Sequence, residues 1–352
     1  MNLSALGIKY ISGDVKDVKG AGLVLGRVAL EHKRLYRIWT EEGEWLAEIS
    51  GKLRFEAESR EDYPAVGDWV YMRPREDEKK GLIVEIAPRF SKFSRKAAGD
   101  PAEEQITAAN INTIFLVNAL NQDFNIRRIE RYLLLAWESG ANPVIILSKA
   151  DIGSQIEEKI RQAESAAFGV PIHVISAHEG KGMDELKAYV KEGETVALLG
   201  SSGVGKSTMI NFFLEEDRQA VQEVREDDDK GRHTTTHREM FLLPGGGLLI
   251  DTPGMRALEL WESEEGFRQG FSDIEQLAQT CKFSDCRHDE EPGCAVQAAL
   301  SSGKLDAGRF QSYLKLKKEL EYLARKTDKR AMQQEKKRWK QISKNMKKYK
   351  KR

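Results

Sequence analysis

One eight-residue segment constrains this chain more than any other. Gly200-Ser-Ser-Gly-Val-Gly-Lys-Ser207 fits G-x-x-x-x-G-K-[ST] at every fixed position. The apolar run Val196-Ala-Leu-Leu199 leads into it, and Thr208–Leu214 follows with helical character. A strand, a glycine turn and a helix in that order are the phosphate-binding unit of a parallel sheet. Gly200, Gly203 and Gly205 let the backbone N–H groups around Ser201, Ser202 and Val204 turn inward on phosphates. Lys206 reaches the β and γ phosphates as a point charge. The Ser207 hydroxyl is placed for Mg²⁺, and the helix entered through Thr208 offers its positive dipole end to the anion.

Three further segments fit the same chemistry. Asp251-Thr-Pro-Gly254 follows an apolar strand ending at Ile250. An Asp at that place holds Mg²⁺ through water, and the Gly254 N–H can meet the γ-phosphate. Ser148-Lys-Ala-Asp151 closes the strand Val144–Leu147. It has the form of [NT]-K-x-D, in which Lys149 and Asp151 read guanine. Ser148 keeps a hydroxyl but lacks the amide reach of Asn. Ser176-Ala177, at the end of the strand Ile172–Ile175, adds a backbone contact to the base. The order is unusual, because the base-reading segments precede the phosphate loop and the loop precedes Asp251. This is a circular permutation: the sheet is the same, but the chain enters it at another strand.

The surrounding pattern supports such a sheet. Between about 110 and 255, strands at Ile114–Ala119, Val144–Leu147, Ile172–Ile175, Thr195–Leu199 and Leu248–Ile250 alternate with helices. The helices are expected at Ile126–Glu138, about 155–168 and Met183–Val190. Residues 1–20 show weak periodicity and are expected to be a loose lead-in. From about 21 to 90 short strands dominate, at Val24–Leu30, Leu35–Thr40, Trp45–Ile49, from Gly67 onward and at Gly81–Ala87. That spacing predicts a small closed barrel, with an OB-fold and an SH3-like barrel both open. Pro88–Arg95 interleaves three cations with two aromatics, which fits either RNA contact or an interdomain link with buried phenylalanines.

The net charge is zero, from 56 basic and 56 acidic residues, but it is unevenly spread. Residues 315–352 hold 17 Lys/Arg against 4 Asp/Glu, leaving 39 against 52 in residues 1–314, or +13 against −13. Such a tail, with Trp339 and Tyr349 within it, points to nucleic acid. No apolar run approaches a membrane span and no secretory signal is evident, so the expected setting is cytoplasmic. All three cysteines fall in Cys281, Cys286, His288 and Cys294, a C-x4-C-x-H-x5-C set with the donors of a closed tetrahedral Zn²⁺ site.

Taken together these motifs resemble the RsgA (YjeQ/YloQ) family of circularly permuted GTPases that depend on the small ribosomal subunit. The resemblance rests on the barrel, the permuted order, Gly231-Arg-His-Thr-Thr-Thr236, Asp251-Thr-Pro-Gly254 and the cysteine cluster. It implies a multidomain α/β chain with three parts. These are an OB-fold RNA-binding barrel in 1–95, a permuted P-loop GTPase domain in 96–265, and a zinc-binding helical domain with a basic tail in 266–352. It implies binding of GTP and GDP, Mg²⁺ with the nucleotide, one structural zinc, and late maturation of the small subunit through its rRNA. The chain is expected to be a monomer without a membrane partner. One threonine of 234–236, with Thr235 favoured, would supply the second Mg²⁺ hydroxyl. Met255 stands where ordinary GTPases carry a water-orienting Gln, and the family offers His233 as the substitute. Two other readings stay open: a P-loop ATPase, and an RNA-binding assembly factor whose nucleotide is structural.

Overall fold

The structure is a computed structural model describing residues 1–11, 20, 22–32, 34–75, 79–96, 104–167, 169–216, 238–251, 264–289 and 291–327. The chain divides into two compact units, Met1–Glu259 and Leu260–Arg352.

The first unit opens with β1 (Val24–His32), β2 (Leu35–Thr40), β3 (Gly43–Ile49), helix α1 (Gly51–Glu56), β4 (Trp69–Arg75) and β5 (Lys80–Ile86). Burial alternates along β3, so Trp45, Ala47 and Ile49 all point inward. They meet Val28, Tyr36, Ile38, Val70, Met72 and Ile83 in one apolar core. The strand order is β1-β2-β3-β5-β4, and β4 returns to pair with β1, which closes the sheet. The β3–β5 pair is parallel, and α1 lies between β3 and β4 in the chain. This is the OB topology, and it removes the SH3-like alternative. The Ser50 hydroxyl caps α1 by accepting from the Leu53 N–H at 3.1 Å.

The apolar runs further on become β8 (Thr113–Ala119), β9 (Asn142–Ser148), β10 (Ile172–Val174), β11 (Thr195–Gly200), β12 (Glu239–Leu242) and β13 (Leu248–Asp251), after an antiparallel ribbon of β6 (Lys92–Lys96) and β7 (Glu104–Ala109). The sheet order is β10-β9-β8-β11-β13-β12, parallel except for β12. Helices α2 (Ile126–Ser139), α3 (Ile156–Ala166), α4 (Met183–Leu186) and α5 (Lys206–Leu214) cross between the strands. Phe115 and Val117 pack with Met209, Ile210 and Phe213 of α5 on one face. On the other face α2 lies against β8 and β9. Asn125 caps α2 by accepting from the Arg128 N–H at 3.1 Å, and Gly140 ends it with φ of 81°.

β12 also pairs with barrel strand β1, at Leu30↔Glu239, so barrel and parallel sheet form one continuous sheet. A buried guanidinium fixes this arrangement. Arg27 of β1 is 1% exposed and donates to the carbonyls of Leu6 at 2.6 Å, Gly67 at 3.1 Å and Asn110 at 2.8 Å. At Gly67, with φ of 93°, an added Cβ would lie 2.1 Å from the Ala109 carbonyl oxygen, so no larger residue fits.

One expectation changes. Residues 1–11 are no loose lead-in: Leu6 is fully buried, Ile8–Tyr10 forms a 3-10 turn, and the Tyr10 hydroxyl donates to Glu194. Their burial depends on partners far along the chain, which weak local periodicity does not reveal. In Pro88–Arg95 the packing alternative holds for Arg89 and Phe93. Arg89 bonds both Asp68 oxygens at 2.7 Å and the Glu61 and Tyr63 carbonyls, and Phe93 is 2% exposed.

The second unit contains α6 (Glu264–Gly270), α7 (Ser272–Gln279), α8 (Ala295–Ser301) and α9 (Ala307–Thr327). Phe267, Phe271, Phe310 and Tyr313 pack ring against ring within it, Phe310 and Tyr313 stacked and Phe271 edge-on to Tyr313. Arg309 joins α9 to α7 through two 2.7 Å bonds to Asp273 and lies over the Phe271 ring. Among the described residues no helix is long and apolar enough to cross a membrane.

The Arg27 node yields a stability test. Arg27→Met keeps bulk but removes a charged donor from three buried carbonyls, so it is expected to cost about 3–5 kcal/mol. A urea titration reads this as a lower midpoint; an unchanged midpoint would show that the carbonyls find other donors.

Candidate functional site

The phosphate loop runs from the end of β11 into α5. Gly200 pairs with Val117 of β8, and a Cβ on it would lie 2.5 Å from the Val117 carbonyl oxygen. Gly203 and Gly205 have φ of 76° and 97°, the left-handed region that bends the chain around an anion. Gly205 is the residue before α5, so Lys206, Ser207 and Thr208 form that helix's first turn. The Lys206 ammonium folds back across the loop to the carbonyls of Gly200 at 2.8 Å and Ser201 at 2.6 Å. Asp251 ends β13 beside the loop strand, in register with Leu198, and is 7% exposed.

The segments expected from the sequence to read the base, Ser148–Asp151 and Ser176–Ala177, sit at the ends of strands β9 and β10. Ser148 ends β9, and its hydroxyl donates to the Val204 carbonyl of the phosphate loop at 2.6 Å. Asp151 accepts from the Ser176 hydroxyl at 2.7 Å, and that hydroxyl in turn accepts from the Glu179 N–H at 3.2 Å. The Ala150 N–H bonds the Ile175 carbonyl at 3.1 Å, fixing the two segments against each other. Lys149 takes a left-handed φ of 60°, and Ala177 packs on the sheet core. The permuted segments therefore converge on one edge of the sheet, at the C-terminal ends of its parallel strands, where open α/β sheets bind ligands.

Two residues that sequence reasoning missed join this edge. The Ser201 hydroxyl donates to Asp123 at 2.8 Å, and Arg128 bonds Asp123 through both nitrogens at 2.7 and 3.1 Å while donating to the Ser201 oxygen at 3.0 Å. Burial pushes the Asp123 carboxyl up, but Arg128 and Ser201 outweigh that and hold it below its usual range. The one local signal was the Asn125 cap three residues before Arg128, which marks a helix start but not its partner. His233, Thr235 and Gly254 lie outside the described residues, as do Gly231–Thr236 as a whole, Met255 and residues 328–352.

In the second unit the ligand atoms of Cys281, Cys286, His288 and Cys294 all lie within 4.8 Å of one another. Cys281 Sγ and Cys294 Sγ are 3.9 Å apart, and His288 Nδ1 is 3.6 and 3.5 Å from them. Metal–sulfur bonds of about 2.3 Å in a tetrahedron set sulfurs about 3.8 Å apart, so this donor set could hold a zinc ion. Burial holds the His288 imidazole below its usual pKa, in the neutral form that ligates. Burial also pushes the Cys286 thiol up to about 11, a cost that metal binding reverses. Gln297 supports the cluster by donating its side-chain N–H to the His288 carbonyl at 2.7 Å. Metal analysis of purified protein is expected to give about one ion per chain, falling below a tenth in Cys294→Ser with a lowered melting temperature. Full metal retention in that variant would remove Cys294 from the ligand set.

Comparison with known proteins agrees with this geometry. The RsgA GTPase family model matches residues 86–261. An ABC transporter model matches residues 183–350, a span that includes the phosphate loop but not Ser148–Asp151. The small ribosomal subunit biogenesis GTPase RsgA 1 of Oceanobacillus iheyensis is 46% identical over 99% of each chain. RsgA 2 of Lactiplantibacillus plantarum is 48% identical over 86% of this chain and 85% of its own. Among solved structures, YjeQ from Thermotoga maritima superposes with a TM-score of 0.65 at 28% identity, covering 85% of this chain and 98% of its own. The fold is also that of YloQ, a circularly permuted GTPase, with a TM-score of 0.62 at 22% identity over 88% and 98% of the two chains. A barrel, a permuted phosphate-loop sheet, a Cys3His cluster and relatives matched nearly end to end place this chain in the RsgA family, as a GTP-hydrolysing enzyme.

Proposed function

We propose that this GTPase acts in maturation of the small ribosomal subunit, hydrolysing GTP to GDP and phosphate when the subunit engages it. The observation that carries the reading is the meeting of base and phosphate segments at one sheet edge. Ser148 bonds the loop at Val204, and Asp151 is aimed by Ser176. The relatives named for small-subunit biogenesis support the partner.

Each residue then has a task. Asp151 accepts from the guanine N1–H and amino group, Lys149 lies along the base, and an N–H near Ala177 meets O6. The backbone N–H groups of Gly200–Gly205 surround the phosphates, with Lys206 on the β and γ oxygens. Ser207 and Thr235 would hold Mg²⁺, with Asp251 behind a water and Thr208 closing the helix turn on the phosphates. When bound, Mg²⁺ neutralises charge developing on the phosphate oxygens. Gly254 donates to the γ-phosphate, and His233 orients the attacking water once the subunit orders its segment. The three parts are the barrel in 1–95, the permuted domain in 96–265 and the helical part in 266–352. Barrel and tail contact rRNA, and Cys281, Cys286, His288 and Cys294 carry one structural zinc. The working protein is a cytoplasmic monomer.

Hydrolysis rates measured alone and with purified small subunits test this. Slow intrinsic turnover and strong stimulation by the subunit are expected. Lys206→Ala should abolish both, and His233→Ala should lower the stimulated rate about 10²-fold with GTP affinity unchanged. The rival in which the nucleotide is structural rests on Met255, which stands in the usual Gln position. Turnover that subunits fail to raise would decide for that rival.

A further inference from the structure

We propose that Ser148 acts on the phosphate loop and not on the base, so that this enzyme leaves the N7 position of guanine unread. The proposal rests on the guanine reading of Ser148–Asp151 given above. It concerns which edge of the base the chain selects on.

Guanine N7 is an acceptor, and only a donor can read it. An Asn in the first position of the segment offers two amide protons, enough for the phosphate loop and the base together. A serine hydroxyl has a single proton. In this structure that proton has backbone acceptors within the protein: the Val204 carbonyl at 2.6 Å and, more distantly, the Asn118 carbonyl at 3.3 Å. Ser148 and Val204 are each 1% exposed. Turning the hydroxyl toward N7 would take a donor from a buried carbonyl, which costs more than one neutral hydrogen bond returns. The oxygen's lone pairs offer N7 nothing.

The Asn118 amide does not take over. Asn118 is fully buried on the neighbouring strand, and Ser148 pairs in register with Ala119. Adjacent residues on a strand face opposite sides of the sheet, so the Asn118 amide is turned away from the face that Ser148 shares with Ala119. Selection for guanine then falls on the opposite edge of the base. There Asp151, held by Ser176 at 2.7 Å, faces N1–H and the amino group. Ser148 becomes a positioning residue: it ties the end of β9 to the phosphate loop, so its loss weakens all nucleotides alike.

Equilibrium binding of GDP, 7-deaza-GDP and ADP to the full chain tests the proposal, since 7-deaza-GDP differs only in lacking the N7 acceptor. GDP and 7-deaza-GDP are expected to bind within about 2-fold of each other, and both far more tightly than ADP. Ser148→Ala should weaken both guanine nucleotides by the same factor, roughly 3- to 10-fold, with their ratio unchanged. Ser148→Asn should create a preference for GDP over 7-deaza-GDP of roughly 5-fold. A wild-type preference for GDP over 7-deaza-GDP of about 5-fold or more would overturn the proposal. ADP binding as well as GDP would instead strike the guanine reading itself, and the proposal with it.

Discussion

A single buried guanidinium decides how this chain's first unit holds together. Arg27 takes carbonyls from three segments that are remote in sequence: Leu6 near the N-terminus, Gly67 ahead of β4 and Asn110 ahead of β8. Burial pulls its pKa down to about 9, with Asp68 opposing, so the group is still charged at neutral pH. Asp68 is in turn held by Arg89 at 2.7 Å, which makes the charges a chain and leaves none alone in the interior. Arginine suits the position because its planar fork can serve several carbonyls at fixed angles, which a lysine ammonium does not. The barrel is therefore bolted to the nucleotide-binding sheet as well as linked to it.

That attachment gives the β1–β12 pairing its significance. Leu30 pairs with Arg37 on one side and Glu239 on the other, Glu239 pairs with Asp251, and Asp251 with Leu198. One row of residues thus crosses five strands, from the barrel to the acid beside the phosphate loop. The Arg37–Glu239 ion pair at 3.0 Å spans the joint on the surface. Being about a third exposed, it contributes modest energy and mainly fixes register. Glu239 also lies four residues after Thr235 in the sequence. The Gly231–Thr236 segment therefore precedes, along the chain, a strand whose two neighbours are the barrel strand β1 and the strand carrying Asp251.

What the sequence disclosed and what it hid divide along locality. The phosphate loop, the cysteine cluster and the parallel strands were legible because each is a contiguous pattern with its own chemistry or period. Leu35–Thr40 and Ile126 at the start of α2 fell where alternation and helical spacing put them. The choice between OB and SH3-like barrels was hidden, since it lies in the β3–β5 and β1–β4 pairings and not in any strand's own residues. The β6–β7 ribbon was missed for a similar reason: Ile106 and Ala109 are buried against a residue remote in sequence, Ala65 ahead of β4. Asp123 and Arg128 carry no functional signal within their own segment; Ser201, remote in sequence, is what joins them to the phosphate loop. The donor count at Ser148 likewise needed Val204, which the sequence places far downstream.

The permutation itself now has a physical reading. The sheet order places the loop strand β11 between β8 and β13, wherever the chain begins. Hydrogen bonding along a parallel ladder does not depend on which crossover is cut, so the site survives the change. What changes is what lies next to each strand along the chain. With β9 and β10 made first, the Ser148–Asp151 and Ser176–Ala177 segments are remote along the chain from Asp251. The β9–β8–β11 ladder ties the two together, and the Ser148–Val204 bond adds a side-chain tie directly to the phosphate loop. Asp251, by contrast, becomes the last residue of the sheet, with the second unit following in the chain and the barrel already paired to the strand beside it. Asp251 thus stands at the chain's exit from the sheet, with the barrel paired to the neighbouring strand β12 and the second unit next along the chain.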